Sequence, residues 1–177
     1  PFTGSVYTGT SDYYNSCDYV LSSPYSGNSY CGFYTYINFF PNSREYVQVQ
    51  LTNPLIAGKC YEAEMWLALR NGAGYTNSHV GMYFSQTAPQ SPGGALINAA
   101  PQVYSTSSDM SFDTTWTKIT GSFVANGGEE FLTIGVFVPD TAMTISNLGN
   151  GGISGYYMVD DVSLTAMPYD YVNFEIG

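Results

Sequence analysis

Polar and apolar residues alternate one for one over much of this chain, and a period of two marks half-buried β-strands. In "REYVQVQL" (44–51), Val47, Val49 and Leu51 alternate with Tyr46, Gln48 and Gln50. In "KCYEAEMWLALR" (59–70), Tyr61, Ala63, Met65, Leu67 and Leu69 form one row; Glu62, Glu64, Trp66, Ala68 and Arg70 form the other. These residue types also favour helix, but the clean alternation after the turn "NPLIAG" decides for a strand. "HVGMYFSQ" (79–86) points Val80, Met82 and Phe84 inward. Further strands are expected in "YCGFYTYINF" (30–39), "TWTKITGSFVA" (115–125), "EEFLTIGVFV" (129–138) and "YYMVDDVSLTAM" (156–167), with a short one near Val103. "NGG" at 126–128 predicts a hairpin between the two strands it joins. Residues 1–29 read as an irregular entry segment, and "RNGAGYTNS" and "TISNLGNGGISG" read as loops. Short strands at regular spacing with no helical period predict an all-β fold. The expected form is a single antiparallel β-sandwich domain, jelly-roll type, over residues 1–177. Residues 168–177 read as a terminal strand, with the turn-prone "MPYDY" (167–171) connecting "YMVDDVSL" to "VNFEIG".

Composition narrows the function. Charged residues make up 10% of the 177, against about 25% in an ordinary domain. Seventeen Tyr and nineteen Gly suit a secreted β-protein. The net charge of −10, with only four Lys and Arg, excludes a nucleic-acid partner, which needs clustered cations. It also disfavours anionic membrane surfaces, and no apolar run reaches the ~20 residues of a membrane helix, so no membrane insertion is expected. The opening residues lack a leader pattern, which predicts a mature or trimmed chain, or another export route. Cys17, Cys31 and Cys60 allow one disulfide; Cys17–Cys31, flanking a turn-rich loop, is favoured over Cys17–Cys60.

Candidate chemistry points to binding. The single His79 stands without the rest of a nucleophilic triad. Glu62 and Glu64 lie roughly 7 Å apart by strand geometry, as on a solvated strand face. No catalytic residues are assigned. Sugar recognition uses flat aromatic faces beside planar polar groups. The row of Glu64, Trp66 and Arg70 offers both. Neighbouring strands add Tyr46, Gln48 and Tyr83, with Gln50, Phe131 and Phe137 as further candidates, should the sheet order bring them to one face.

The stretches "LTNPLIAGKCY", "WTKITGSFVA", "FLTIG" and "YMVDDVSL" resemble carbohydrate-binding-module jelly rolls of the galactose-binding-like group. "SDYYNSCD", "GFYTY", "REYVQVQLTNPLIAGKCY" and "HVGMYFS" are similar to a module of exported Bacteroidota surface proteins. The resemblance covers roughly residues 12 to 165. It implies an extracellular or cell-surface carbohydrate-binding or adhesion module, whose partner is a glycan or a surface protein. It also implies a structural calcium held by Asp160 and Glu175. "DTT" at 113–115 and "DTA" at 140–142 resemble Bacteroidota O-glycosylation sites, with the glycan on Thr114 and Thr141. The family's opening strand, with its Asn-Pro-x-Phe-Glu pattern, is missing from the front, and "YVNFEIG" at the back matches it. That segment is expected to pair with its own domain or to be donated to a second copy, giving a homo-oligomer. The alternative function is a structural, self-assembling block of a surface or filament assembly that binds no small ligand.

Overall fold

The structure, a computed structural model, describes residues 11–15, 23–107 and 115–168. It is an antiparallel β-sandwich. The strands are β1 (Asp12–Asn15), β2 (Ser29–Ile37), β3 (Val47–Gln50), β4 (Cys60–Leu69), β5 (Tyr75–Asn77), β6 (Val80–Ser85), β7 (Val103–Tyr104), β8 (Thr117–Val124), β9 (Phe131–Val136), β10 (Ile145–Asn147) and β11 (Ser154–Ala166). One sheet has the order β1-β2-β11-β4-β8, the facing sheet β3-β9-β6-β7, and β5 pairs with β10 as a small ribbon.

The alternation read from sequence sets which side chains face inward. Tyr61, Ala63, Met65, Leu67 and Leu69 of β4 are all buried, as are Val80, Met82 and Phe84 of β6. They meet Phe33, Tyr157 and Val159 from the five-stranded sheet, and Leu132 and Ile134 from the other, in one core. β3 departs from this pattern: Val47 is buried, but Val49 is 39% exposed.

Three expectations are corrected. The "NGG" turn does not close a hairpin, because β8 pairs with β4 while β9 pairs with β3 and β6. The chain crosses between sheets there, and the Glu129 carboxylate holds the turn by accepting from the Asn126 and Gly127 N–H groups. A local turn signal cannot tell a hairpin from a sheet-to-sheet corner. The entry segment contains a strand: β1 pairs with the start of β2, and Tyr14 stacks on Tyr30 with ring centroids 5.0 Å apart. The two glycine-rich loops supply β5 and β10, which pair from Tyr75–Asn147 to Asn77–Ile145. Three-residue strands carry too few positions to show a period.

Candidate functional site

The outward row of β4 meets those of its neighbours through the register. Trp66 lies opposite Asp160 of β11 on one side and Lys118 of β8 on the other. Ala68 lies opposite Met158, which in turn faces Gly32 of β2. A second apolar cluster forms on this outer face from Tyr30, Ala68, Tyr156 and Met158, flanked by Tyr14, Tyr34 and Trp116. The Tyr156 ring lies over Gly32; a Cβ there would come within 2.2 Å of the Tyr156 hydroxyl. That hydroxyl donates to Asp12 at 2.7 Å and meets the Tyr14 hydroxyl at 3.1 Å. Burial, with these bonds and the Asp12 charge, pushes the Tyr156 phenol far up, so it remains a hydrogen-bond donor.

An aromatic platform sits on the same face. Tyr25 stacks on Trp66 with ring centroids 4.0 Å apart and planes 15° apart. Trp116 stands edge-on to both Tyr25 and Tyr30, each at 6.2 Å. Tyr25 is 41% exposed, so the outer aromatic surface belongs to it, with Trp66 half-buried beneath. Beside the stack, Lys118 Nζ lies 2.6 Å from Glu64 Oε2. The Arg70 guanidinium sits 5.4 Å from the centre of the Tyr156 ring, a cation–π contact. Glu64, Trp66 and Arg70 are thus on one face. The residues that complete it, Tyr25 and Trp116, were missed by sequence reasoning. Trp116 is two positions before Lys118 on the outward row of β8, a readable signal. Tyr25 comes from an aperiodic turn and gave none.

Tyr46, Gln48 and Tyr83 do not join them, because β3 and β6 lie in the other sheet. The Pro- and Gly-rich segment between β6 and β7 closes over that sheet's outer side. Tyr46 is buried, donates its hydroxyl to the Val136 carbonyl and accepts from the Ile97 N–H. Burial pushes its phenol up to about 12. Gln48 donates to Thr133 and to the Pro89 carbonyl. Tyr83 is half-buried against Phe137, which is itself fully buried. Gln50 is exposed and Phe131 half-buried, both on this second sheet.

Asp160 is expected on the inward row with Val162 and Leu164. It points away from the core instead. The register against β4 shifts between Asp160 and Ser163, and Asp161 takes a left-handed conformation with φ of 46°. That bulge keeps both Val159 and Leu164 on the core side. Asp160 Oδ2 accepts from the N–H groups of Tyr25 and Ser26, and Oδ1 from that of Asp161. Calcium collects six to eight oxygens, whereas Asp160 is surrounded by donors. Among the described residues no group of three or more His, Cys, Asp or Glu is placed to hold a metal, and Glu175 lies outside them. The described donor set does not fit calcium; it fits a carboxylate that anchors the loop bearing Tyr25. We expect the same melting temperature in excess EDTA and in millimolar calcium, with Asp160→Asn lowering it equally in both. A calcium-dependent rise in the wild type would reverse this reading.

Among the described residues, Cys31 is a buried free thiol and Cys60 a half-buried one; burial, with the Asp160 charge, pushes Cys31 up to about 11. Cys17 and Thr114 lie outside the described residues, and Thr141 is exposed in the 3-10 turn Asp140–Ala142. The His79 Nδ1 lies 2.7 Å from Ser78 Oγ, but Ser78 is buried and its Oγ also accepts from the Thr144 N–H. That pair is a structural tie with no nucleophile open to solvent.

Glu45 introduces a pH dependence. It is 6% exposed, and burial pushes its carboxyl up to about 7, against the Tyr34 N–H that it accepts and with the Asp12 charge. The folded pKa is above the ordinary 4.5, so the folded chain binds the extra proton between these values. The contribution of this group to stability is therefore complete below pH 4.5 and is lost as pH rises through 7. Thermal melts across this window should decline for the wild type and flatten for Glu45→Gln. Parallel profiles would show that Glu45 does not titrate in it.

No family model matches the chain, and no curated protein matches it. Solved structures do. The CBM22-1–GH10 modules of Clostridium thermocellum xylanase 10B, complexed with xylohexaose, align over 90% of this chain and 25% of that one, at 10% identity and a TM-score of 0.50. The CBM22-1 xylan-binding domain of Paenibacillus barcinonensis Xyn10C aligns over 93% and 88%, at 14% identity and 0.46. A cleaved adhesin domain of Lys-gingipain from Porphyromonas gingivalis aligns over 88% and 83%, at 14% identity and 0.49. The fold is an antiparallel β-sandwich of the jelly-roll type. At these identities the likeness is one of fold, and this chain corresponds to a quarter of the xylanase chain.

Proposed function

We propose that this chain is a non-catalytic carbohydrate-binding or adhesion module of an extracellular surface protein. It engages glycan through the outer face of the five-stranded sheet. The observation that carries this reading is the Tyr25–Trp66 stack, with Trp116 at its edge, beside the Lys118–Glu64 pair. A partly exposed aromatic face accepts the C–H side of a pyranose, and the paired charges beside it accept and donate to hydroxyls. Arg70 extends the polar rim. Trp66 acts from beneath, fixing the Tyr25 ring.

Titration calorimetry with xylo-oligosaccharides, followed by a glycan array, tests the proposal. The xylan chain is the first probe because the xylanase modules of the same fold were complexed with xylohexaose. Saturable binding is expected for the wild type. Tyr25→Ala should weaken it by about tenfold, equivalent to roughly 1.4 kcal/mol, with little change in melting temperature because the ring is partly exposed. Absence of saturable binding to any arrayed glycan at millimolar concentration would sink the reading.

A further inference from the structure

Arg70 carries a charge on the outer face that the fold leaves uncompensated. It follows Leu69 at the end of β4 and extends its ladder, the Arg70 N–H donating to the Tyr156 carbonyl. Its side chain belongs to the outward row of Trp66 and Ala68, four positions and about 13 Å beyond Trp66. Two ion pairs exist among the described residues, Arg44–Asp140 and Lys118–Glu64, and Arg70 is in neither. Asp12, on the same face, is engaged by the Tyr156 and Tyr14 hydroxyls instead. Arg70 Nε is buried and has no partner among the described residues. The residue as a whole is half-buried, so solvent reaches the guanidinium through its Nη edge. The Tyr156 ring, 5.4 Å away, holds the group in place, and Tyr34 in turn stands edge-on to that ring at 4.8 Å.

The chemistry of the group selects its ligand. A neutral sugar needs acceptors and donors beside the stacking ring, and Glu64 with Lys118 supplies both. Arg70 supplies donors alone, in a planar fork that matches the two oxygens of a carboxylate. The net charge of −10 limits how acidic that ligand is, because a densely sulfated or polyuronic chain meets repulsion from the rest of the molecule. A neutral backbone bearing an occasional carboxylate satisfies both conditions.

Resting on the glycan-binding reading given above, we infer that the ligand is a sparsely acidic glycan. Its neutral backbone stacks on the Tyr25–Trp66 platform, and the carboxylate of a hexuronate substituent pairs with Arg70. The separation of about 13 Å along β4 assigns the carboxylate to a neighbouring sugar rather than to the ring that stacks. Arg70 is then the residue that sets the preference for acidic over neutral chains.

The test is titration calorimetry with xylo-oligosaccharides of equal backbone length, with and without one glucuronate side group. Matched neutral and uronate-bearing pairs on the glycan array extend the comparison to other backbones. The wild type should bind the acidic member about tenfold more tightly, the scale of one charge-assisted pair. That advantage should shrink between about 50 and 500 mM sodium chloride. Arg70→Gln should remove the preference and leave affinity for the neutral member within about twofold, while Arg70→Lys keeps part of it. If Arg70→Gln does not fold, the wild type carries the test. The chain has two arginines, so their Nε–Hε groups give two signals in a proton–nitrogen spectrum, with buried Arg44 as the internal reference. Sodium glucuronate alone should shift the Arg70 signal saturably and leave that of Arg44 in place, and sodium chloride at equal ionic strength should move neither. An Arg70 signal unmoved by glucuronate would overturn the inference, as would a preference for densely sulfated chains. Equal affinity for the members of every pair would overturn it and leave the glycan-binding reading standing. Binding of no glycan, neutral or acidic, would remove both.

Discussion

Asp140→Ala is expected to cost about 3–5 kcal/mol of folding stability, the range for a buried charge that loses its partner. Arg44 is 1% exposed. Its guanidinium donates to Asp140 at 2.5 Å and to the Val138 and Ser43 carbonyls, while its Nε has no partner among the described residues. Asp140 also ties two segments together: it accepts the Asn42 N–H, and its own N–H donates to the Asn42 side chain. Removing the carboxylate leaves a desolvated cation and frees the 40–44 turn. The double variant Arg44→Met, Asp140→Ala should cost less than the single Asp140→Ala, because no charge is then stranded. Urea midpoints at constant slope give the comparison. A cost below about 1 kcal/mol for the single variant, within the range of exposed pairs, would mean that the guanidinium reaches water.

The sandwich was legible because side-chain alternation survives in β4 and marks its core row. It fails where a strand is irregular. The bulge at Asp160–Ser163 inserts a residue, so the phase that correctly puts Leu164 on the core side is wrong before the bulge, where Val159 faces the core and Asp160 is a loop anchor. It fails again where a face is covered by something remote in sequence. Tyr46 and Gln48 alternate as outward residues should, but the loop that covers them is 51 and 41 positions away, at Ile97 and Pro89. The reverse holds for Tyr25, whose value at the site comes from stacking on Trp66 across the fold. A two-residue period reports the faces of one strand; it carries nothing about what lies on those faces.

The two sheets also differ in how much of their outer surface is left for binding. The four-stranded sheet is covered by the Pro-rich segment, whose Ile97 N–H and Pro89 carbonyl make hydrogen bonds to side chains of β3 or just before it. The five-stranded sheet builds its outer cover from its own side chains, with Tyr156 laid across Gly32 and Tyr14 against Tyr30. Tyr30 and Tyr156 are buried in this packing, whereas Tyr25 stays 41% exposed. Tyr25 is held by its neighbours: its own N–H and that of Ser26 bond the Asp160 carboxylate. A ring fixed in this way loses little freedom when a ligand stacks on it.

Gly74→Ala is expected to destabilise the chain by about 3 kcal/mol or more, at the upper end for overpacking. A Cβ at Gly74 would lie 1.9 Å from the Gly152 carbonyl oxygen and 2.2 Å from its carbon. The obstacle is backbone and cannot rotate aside. The two segments are also locked together. The Gly74 N–H donates to the Ser154 carbonyl, the Gly74 carbonyl accepts from Leu148, and the Asn150 side chain donates to the Ala73 carbonyl. Relief would require the chain before β5 to move away from the chain entering β11, breaking those bonds and shifting the β5–β10 ribbon. Asn71→Ala, at the exposed turn beside it, should stay within about 0.5 kcal/mol, as surface substitutions do. Chemical denaturation of both variants measures the difference. Equal midpoints would mean that the Gly74–Gly152 approach is looser than described, and that the glycines here serve only the turns.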